Sequence, residues 1–202
     1  MPGYILSASP RSGSTLLCDL LWQTRVAGKP NSFFRPQSVG NFCRSWGLPE
    51  TTLATVDQAY LDAAIAEGVQ GTGTFGLRIM HDNIAGLLAR LKALNDQKDD
   101  VAALTHVFGP LRFIHLSRDD KVAQAVSLAM AEQTGLWHKN ADGTDRENFH
   151  RSPDPIYDRD QIARELAGLE KEARGWATWF ATNGITPLRL TYETLSLSLI
   201  HI

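Results

Sequence analysis

Short apolar runs alternate along the chain with segments whose hydrophobic residues recur at helical spacing. The apolar runs predict buried strands at residues 4–6, 74–80, 111–116 and 187–191. The helical spacing predicts helices at residues 14–25, 55–67, 82–94, 101–108, 119–133 and 158–183. Because strands and helices alternate, we predict an α/β fold of three layers, with a central, mainly parallel sheet and helices on both faces.

Two segments lack either pattern and are predicted as loops. Residues 138–155 form a long polar loop. Residues 31–47 are irregular and rich in Phe, Pro and Arg, and their aromatic rings must be buried against something. This second loop is either a cover over the domain or a wall of a substrate pocket.

Composition limits the class of protein. The chain has 202 residues, of which 43% are hydrophobic, which is enough for one well-buried domain. Its net charge of −2 argues against an extended nucleic-acid surface and leaves room for a local basic pocket. No apolar run approaches the roughly 20 residues that span a bilayer, and no basic leader precedes the first strand, so we expect a cytoplasmic protein. Cys18 and Cys43 have no zinc-ligand spacing, so we expect no metal site.

The first strand is followed by a turn that is suited to an anion. Residues 9–15 are rich in Ser and Gly and lead directly into a helix, whose N-terminus adds roughly half a positive charge. Gly13 lets the backbone approach an oxyanion, and Arg11 matches a phosphate or sulfate oxygen pair. The stretch lacks the Lys of a Walker A loop, and an ordinary Ser-capped turn is the alternative interpretation.

A second cation follows the third strand. Arg118 lies just past residues 111–116, and Ser127 lies about two turns into the next helix. Together they could hold a second phosphate, which suggests a nucleotide with phosphates at both ends. The alternative is a surface ion pair between Arg118 and Asp119 or Asp120, which would contribute little.

With these pieces the chain resembles the PAPS-dependent sulfotransferases, in particular the bacterial family typified by trehalose 2-sulfotransferase. The resemblance runs in order through nearly the whole chain. It is carried by residues 9–17, 26–34, 76–80, 114–118, 124–127, 133–137 and 176–192.

The resemblance implies a P-loop-like sulfotransferase fold and assigns roles to the site residues. It implies that Arg11, Ser12, Gly13, Ser14 and Thr15 bind the 5′-phosphosulfate of the donor PAPS. It implies that Arg118 and Ser127 bind the 3′-phosphate. The expected acceptor-side residues are Lys29, Ser32, Phe33, Phe34 and Trp137. In that family a glutamate just before the Phe-Phe pair is the proposed general base, and Ser32 stands at that position here.

Catalysis of sulfuryl transfer needs groups that stabilise charge and a group that removes a proton. Arg11 suits the charge that grows on the leaving phosphate oxygen, and Arg78 could contact the transferring sulfuryl group. A serine without a partner base cannot take the proton, so His81, at the end of the second strand, is our hypothesis for the base. The alternatives are a structural ion pair for Arg78, a hydrogen-bonded loop position for His81, and Asp82 as a lesser candidate for the base.

The sequence therefore predicts a sulfotransferase that moves a sulfuryl group from PAPS to a hydroxyl of a carbohydrate or glycolipid, with a homodimer open as its assembly. The alternatives are a non-catalytic nucleotide-binding protein and a nucleotide-dependent phosphotransferase. We expect one domain over residues 1–196, incomplete at its C-terminus. Residues 197–202 resemble the translated end of a sequencing adapter and are expected to be a non-native tail.

Overall fold

Four parallel strands form the centre of the computed structural model, which describes residues 1–137 and 154–200, with side chains described up to residue 197. The strands are β1 (Gly3–Ala8), β2 (Phe75–Met80), β3 (Leu111–Ser117) and β4 (Leu188–Thr191). Their order across the sheet is β2-β1-β3-β4, and each neighbouring pair is parallel. The predicted loop over residues 138–155 lies almost wholly outside the described residues.

Helices cover both faces of this sheet. The described helices are α1 (Ser14–Gln23), α2 (Pro36–Trp46), α3 (Gln58–Val69), α4 (His81–Asn95), α5 (Asp100–Phe108), α6 (Lys121–Thr134), α7 (Arg159–Thr182) and α8 (Tyr192–Ile200). Ile5 packs with residues of α3, α4, α5 and α7, whereas its neighbour Leu6 packs with α1. Because successive strand residues point to opposite faces, these contacts form two apolar layers, and the predicted three-layer α/β fold is confirmed.

The segment at residues 31–47 differs from the predicted irregular loop, because most of it is the helix α2. Pro36 stands in the first turn of α2, where its fixed φ suits the helix and its missing N–H costs nothing. Gly47 ends α2 in the left-handed conformation, with φ 68°. Val39 and Cys43 are fully buried on its inner face.

The ends of α3 also differ from the prediction. Asp57, rather than Thr55, caps the helix by accepting a hydrogen bond from the backbone N–H of Tyr60. Gly68 was the predicted stop, but it lies inside α3. A Cβ at Gly68 would come within 2.7 Å of Cε2 of Phe75, so this glycine allows α3 to pack closely against β2.

Helix α8 extends from the end of β4 and includes residues on both sides of position 196. The domain boundary expected at that position stays a prediction. No described helix is both long enough and apolar enough to cross a membrane.

Candidate active site

The connections that follow the strands meet at the carboxyl edge of the sheet. Residues 9–13 follow β1, residues 118–120 follow β3, and α8 begins directly after β4. In open parallel sheets ligands bind at this edge. The predicted anion-binding residues of the first and third connections are therefore neighbours in space.

The connection after β1 contains two left-handed backbone positions. Arg11 has φ 60° and Gly13 has φ 82°, and left-handed residues are common in turns whose N–H groups surround an anion. Gly13 is the N-cap of α1 and has no side chain that could cap the first-turn N–H groups. The hydroxyl of Ser12 is fully buried and donates to the carbonyl of Ser9 at 2.8 Å, which holds the turn in shape.

Tyr192, the first residue of α8, closes one side of this turn. A Cβ at Gly13 would lie 2.7 Å from Cδ2 of the Tyr192 ring, so only glycine fits beside it. The guanidinium of Arg118 lies over the same ring, 4.6 Å from its centroid. The tyrosine thus sets the spacing between the first turn and the cation that follows β3.

The side chain of Arg118 has a buried donor without a partner among the described residues. Its Nη1 is 3.5 Å from the carbonyl oxygen of Arg11, which is a weak contact. Its Nε is buried and has no hydrogen-bond partner among the described residues. Because a buried N–H without a partner costs free energy, this atom is suited to an anionic ligand.

Two side chains hold the Arg118 connection in place. The carboxylate of Glu193 accepts hydrogen bonds from the backbone N–H groups of Asp119, at 3.1 Å, and Asp120, at 3.3 Å. Partial burial raises the pKa of Glu193, but these hydrogen bonds and the nearby Arg118 outweigh it and lower the pKa. Gln124, which is fully buried, donates to the carbonyl of Pro10 at 2.6 Å and so ties α6 to the first turn.

The two predicted anion sites share one cavity. Nε of Arg11 donates to the hydroxyl of Ser127 at 2.9 Å, and its Nη1 donates to the carbonyl of Trp137. The cavity has a volume of about 350 Å³. Its lining includes Arg11, Gly13, Thr15, Arg118, Ser127 and Tyr192.

The side chain of Arg78, on β2, forms hydrogen bonds with Thr15, which lines this cavity, and with Ser32. Its Nη1 donates to Oγ1 of Thr15 at 2.7 Å, and its Nε donates to Oγ of Ser32 at 2.8 Å. Both partners are neutral, and the ion pairs among the described residues do not include Arg78. The structural ion pair considered for Arg78 is therefore absent from the part of the chain that the structure describes.

Three of the residues expected on the acceptor side have other contacts. Phe33 and Phe34 are 0% and 1% exposed and belong to the main hydrophobic core, and the expectation that these rings contact substrate stays a prediction. Their burial follows from the aromatic residues of α2 and α3 that surround them. Lys29 forms an ion pair of 2.6 Å with Glu67. Trp137 lines the cavity, and Ser32 lies against Arg78.

His81 does not line the cavity that contains Arg11. Its imidazole packs edge-on against Trp176, with 5.5 Å between ring centroids, and fills the space beside Gly175. It lines a separate groove of about 720 Å³ between α4 and α7. Burial lowers the pKa of His81, which Asp82 partly counters. The structure thus directs the histidine toward α7, and its role as a base stays a prediction.

Three residues have structural roles that were not predicted from the sequence: Tyr192, Glu193 and Gln124. Tyr192 and Glu193 stand directly after the last predicted strand, and residues at that end of a parallel strand are placed at the ligand edge. Their position directly after a predicted strand could therefore have identified Tyr192 and Glu193 as candidate site residues. Gln124 lies in a segment that carries the family resemblance, but its role could not be predicted, because its partner is a backbone carbonyl 114 residues away.

Among the described residues, no group of three or more His, Cys, Asp or Glu side chains is arranged to hold a metal ion.

Comparisons with known proteins identify the family of this chain. A model of the Stf0 sulphotransferase family matches residues 3–202. A trehalose 2-sulfotransferase of Mycobacterium tuberculosis (strain ATCC 35801 / TMC 107 / Erdman) is 32% identical over 214 residues, covering 95% of this chain and 78% of the relative. A trehalose 2-sulfotransferase of Mycolicibacterium smegmatis is 30% identical over 223 residues, with the same shares of each chain. The chain therefore belongs to the Stf0 sulphotransferase family and is a sulfotransferase.

Proposed function

We propose that this protein transfers a sulfuryl group from PAPS to a hydroxyl of a carbohydrate or glycolipid. One observation carries the proposal: the Arg11 and Arg118 side chains and the open first turn of α1 line the same cavity. A nucleotide with a 5′-phosphosulfate and a 3′-phosphate has an anionic group for each of these features.

The donor fits the polar groups that the cavity leaves available. The turn at residues 11–15 offers backbone N–H groups and the helix N-terminus to the 5′-phosphosulfate. The buried Nε of Arg118, which has no partner among the described residues, suits the 3′-phosphate. Ser127 is close by, since its hydroxyl contacts Arg11. Gly13 allows the Tyr192 ring to pack directly against this turn, since a larger residue would strike that ring.

Arg11 and Arg78 have complementary roles in the chemical step. As the bond from sulfur to the bridging oxygen breaks, negative charge grows on the leaving phosphate, and Arg11 lies where it can stabilise that charge. Arg78 is held by Ser32 and Thr15, so its orientation is set before the donor arrives. We assign Arg78 to the transferring sulfuryl group.

The proposed acceptor class follows from the relatives. Both of the similar proteins are named for sulfation of trehalose at its 2-position, which supports a sugar hydroxyl as the acceptor. Trp137, which lines the cavity, supplies an aromatic face for a sugar ring. The cytoplasmic location and the homodimer stay predictions from the sequence.

Sulfate transfer from labelled PAPS tests this proposal. The purified protein is incubated with PAPS that carries radioactive sulfur and with a panel of trehalose, other disaccharides, glycolipids and simple alcohols. We expect label in at least one sugar-containing acceptor and none in the simple alcohols. Absence of transfer to every acceptor would contradict the proposal.

A non-catalytic nucleotide-binding protein is the second candidate. One observation favours it: Ser32 stands where the family has a glutamate. The Ser32 hydroxyl contacts the Arg78 guanidinium, and neither group can take a proton from an acceptor. Thermal stabilisation by adenosine 3′,5′-bisphosphate, combined with no transfer to any acceptor, would select this candidate. Stabilisation by ATP–Mg alone would instead favour a phosphotransferase.

A further inference from the structure

Helix α7 places an acidic side chain beyond the end of the central strand. The indole N–H of Trp176 donates to the carbonyl of Ala8, the last residue of β1, at 3.0 Å. Since α7 leads into β4, which is parallel to β3, its N-terminal half points toward the carboxyl edge of the sheet. Glu172 is one turn closer to that edge than Trp176, or about 6 Å along the axis. Along the axis of α7, Glu172 therefore lies past the level at which Trp176 contacts Ala8, toward the carboxyl edge of the sheet.

The face of α7 that carries Glu172 meets the start of α4. Glu172, Gly175 and Trp176 are three and four residues apart and share one side of the helix. Gly175 and Trp176 both contact His81, the first residue of α4. Asp82 follows in the first turn of α4, close enough to influence the ionisation of Glu172.

The Glu172 carboxyl group has the properties of a group that exchanges protons. Its Oε2 is buried and has no hydrogen-bond partner among the described residues. Burial, together with the Asp82 carboxylate, raises the pKa of Glu172 to about 7. The other titratable groups at this junction are His81 on α4 and Lys171 on α7. A carboxyl group that is poised near neutral pH beside a ligand edge is typical of a general base.

The proposed reaction needs such a group, because Ser32 contacts a guanidinium and has no partner base. We propose that Glu172 accepts the proton of the acceptor hydroxyl. This inference rests on the sulfuryl transfer proposed above.

The step balances as follows. A lone pair of the acceptor oxygen forms the new O–S bond while the bond from sulfur to the bridging oxygen breaks. The electron pair of the broken bond leaves with the 5′-phosphate of adenosine 3′,5′-bisphosphate. The hydroxyl proton moves to the carboxylate of Glu172, which releases it to water after the sulfated product leaves.

Glu172→Gln tests the inference, because the amide keeps the shape of the side chain and cannot take the proton. With the best acceptor from the transfer panel, we expect kcat to fall by about 10² to 10⁴. We expect stabilisation by adenosine 3′,5′-bisphosphate and the KM for PAPS to stay unchanged. Glu170→Gln is the matched control, since Glu170 lies on the exposed side of α7 near Arg174. Glu172→Asp, which keeps a carboxylate, should restore part of the lost rate.

The pH profile separates a proton acceptor from a structural carboxyl group. A base must be ionised to act, so the rate of the wild-type protein should fall as the pH drops below about 7. This fall should persist in the Glu170→Gln variant and disappear in Glu172→Gln. Full turnover by Glu172→Gln would overturn the inference and leave the proposed function intact. If the wild-type protein transfers to no acceptor, the proposed function fails and the inference fails with it.

Discussion

At the scale of single residues, the proposed donor-binding turn depends on two left-handed backbone positions. Arg11 keeps φ 60° although it is not a glycine, a conformation that costs free energy. Gly13 combines φ 82° with the close approach of Tyr192. The turn thus holds its N–H groups in place before any ligand binds.

Gly13→Ala should be destabilising and should weaken donor binding. The left-handed conformation alone costs alanine about 1–2 kcal/mol, and the clash with Tyr192 adds to that cost. Urea unfolding measures the stability, and titration with adenosine 3′,5′-bisphosphate measures the binding. Gly47→Ala is the control, because Gly47 also has a positive φ but nothing within 4 Å of an added Cβ. Equal losses in the two variants would show that the Tyr192 contact is unimportant.

Arg78→Met should impair catalysis more than donor binding. The methionine retains the length of the side chain but lacks the cation that we assign to the sulfuryl group, so we expect kcat to fall by about 10² or more. Steady-state kinetics with PAPS separates kcat from KM. Arg112→Met, at an exposed position of β3, is the control and should leave both unchanged. A variant that changes only the KM for PAPS would contradict the assigned role.

His81→Asn distinguishes the two hypotheses for the base. The sequence-based hypothesis requires a loss of turnover, because the imidazole would take the proton. The contacts of His81 with Trp176 and Gly175 instead predict lower stability at nearly normal turnover, which thermal unfolding and kinetics measure together. Loss of turnover without loss of stability would favour the histidine.

The candidate residues of the donor side were easier to single out from the sequence than those of the acceptor side. Arg11, Gly13 and Arg118 were identifiable because each follows an apolar strand. Glu172 was not, because its unusual environment is produced by burial and by Asp82, 90 positions earlier in the chain. Asp82 and Glu172 are close only because α4 packs against α7, and no local sequence pattern predicts that packing.

At the scale of elements, α8 organises the site from outside the predicted motifs. Tyr192 contacts the donor turn, and Glu193 binds the start of α6. The first two residues of one helix therefore position the connections after both β1 and β3.

Glu193→Gln should reduce the stability of the protein and make it less sensitive to acid. Because the folded state lowers the pKa of Glu193, its stabilising effect is present above the ordinary pKa of glutamate and is lost as the pH falls through the folded value. Urea unfolding at neutral and acidic pH should show a smaller acid loss in the variant than in the wild-type protein. Glu50→Gln, at an exposed position, should behave like the wild-type protein. We also expect adenosine 3′,5′-bisphosphate to bind a few-fold more weakly when Glu193 is replaced.

Element boundaries were predictable where a cap or a stop was unambiguous. Asp158 caps α7 and Gly135 ends α6, close to the predicted ends. Helix α2 was not predicted because Pro36 and the surrounding Phe residues, considered individually, are typical of a loop. Its helical character depends on burial of Val39 and Cys43 against the core.

At the scale of the whole molecule, the strand order places the cavity. In the sheet, β2 lies on one side of β1, whereas β3 and β4 lie on its other side. The connections that follow β1 and β3 therefore lead away in opposite directions from the gap between these two strands. Ligands bind at such a switch point. Arg11 follows β1 and Arg118 follows β3, so one cation stands on each side of it. The alternation of strands and helices predicted the layers, but the strand order depends on long-range packing and could not be predicted.

The central claim is that one cavity binds both ends of a doubly phosphorylated nucleotide. Isothermal titration with adenosine 3′,5′-bisphosphate and with adenosine 5′-monophosphate, which lacks the 3′-phosphate, tests it most directly. We predict that the bisphosphate binds at least tenfold more tightly, or by about 1.4 kcal/mol, and that Arg118→Met removes most of this difference. Equal affinities for the two nucleotides in the wild-type protein would contradict the account.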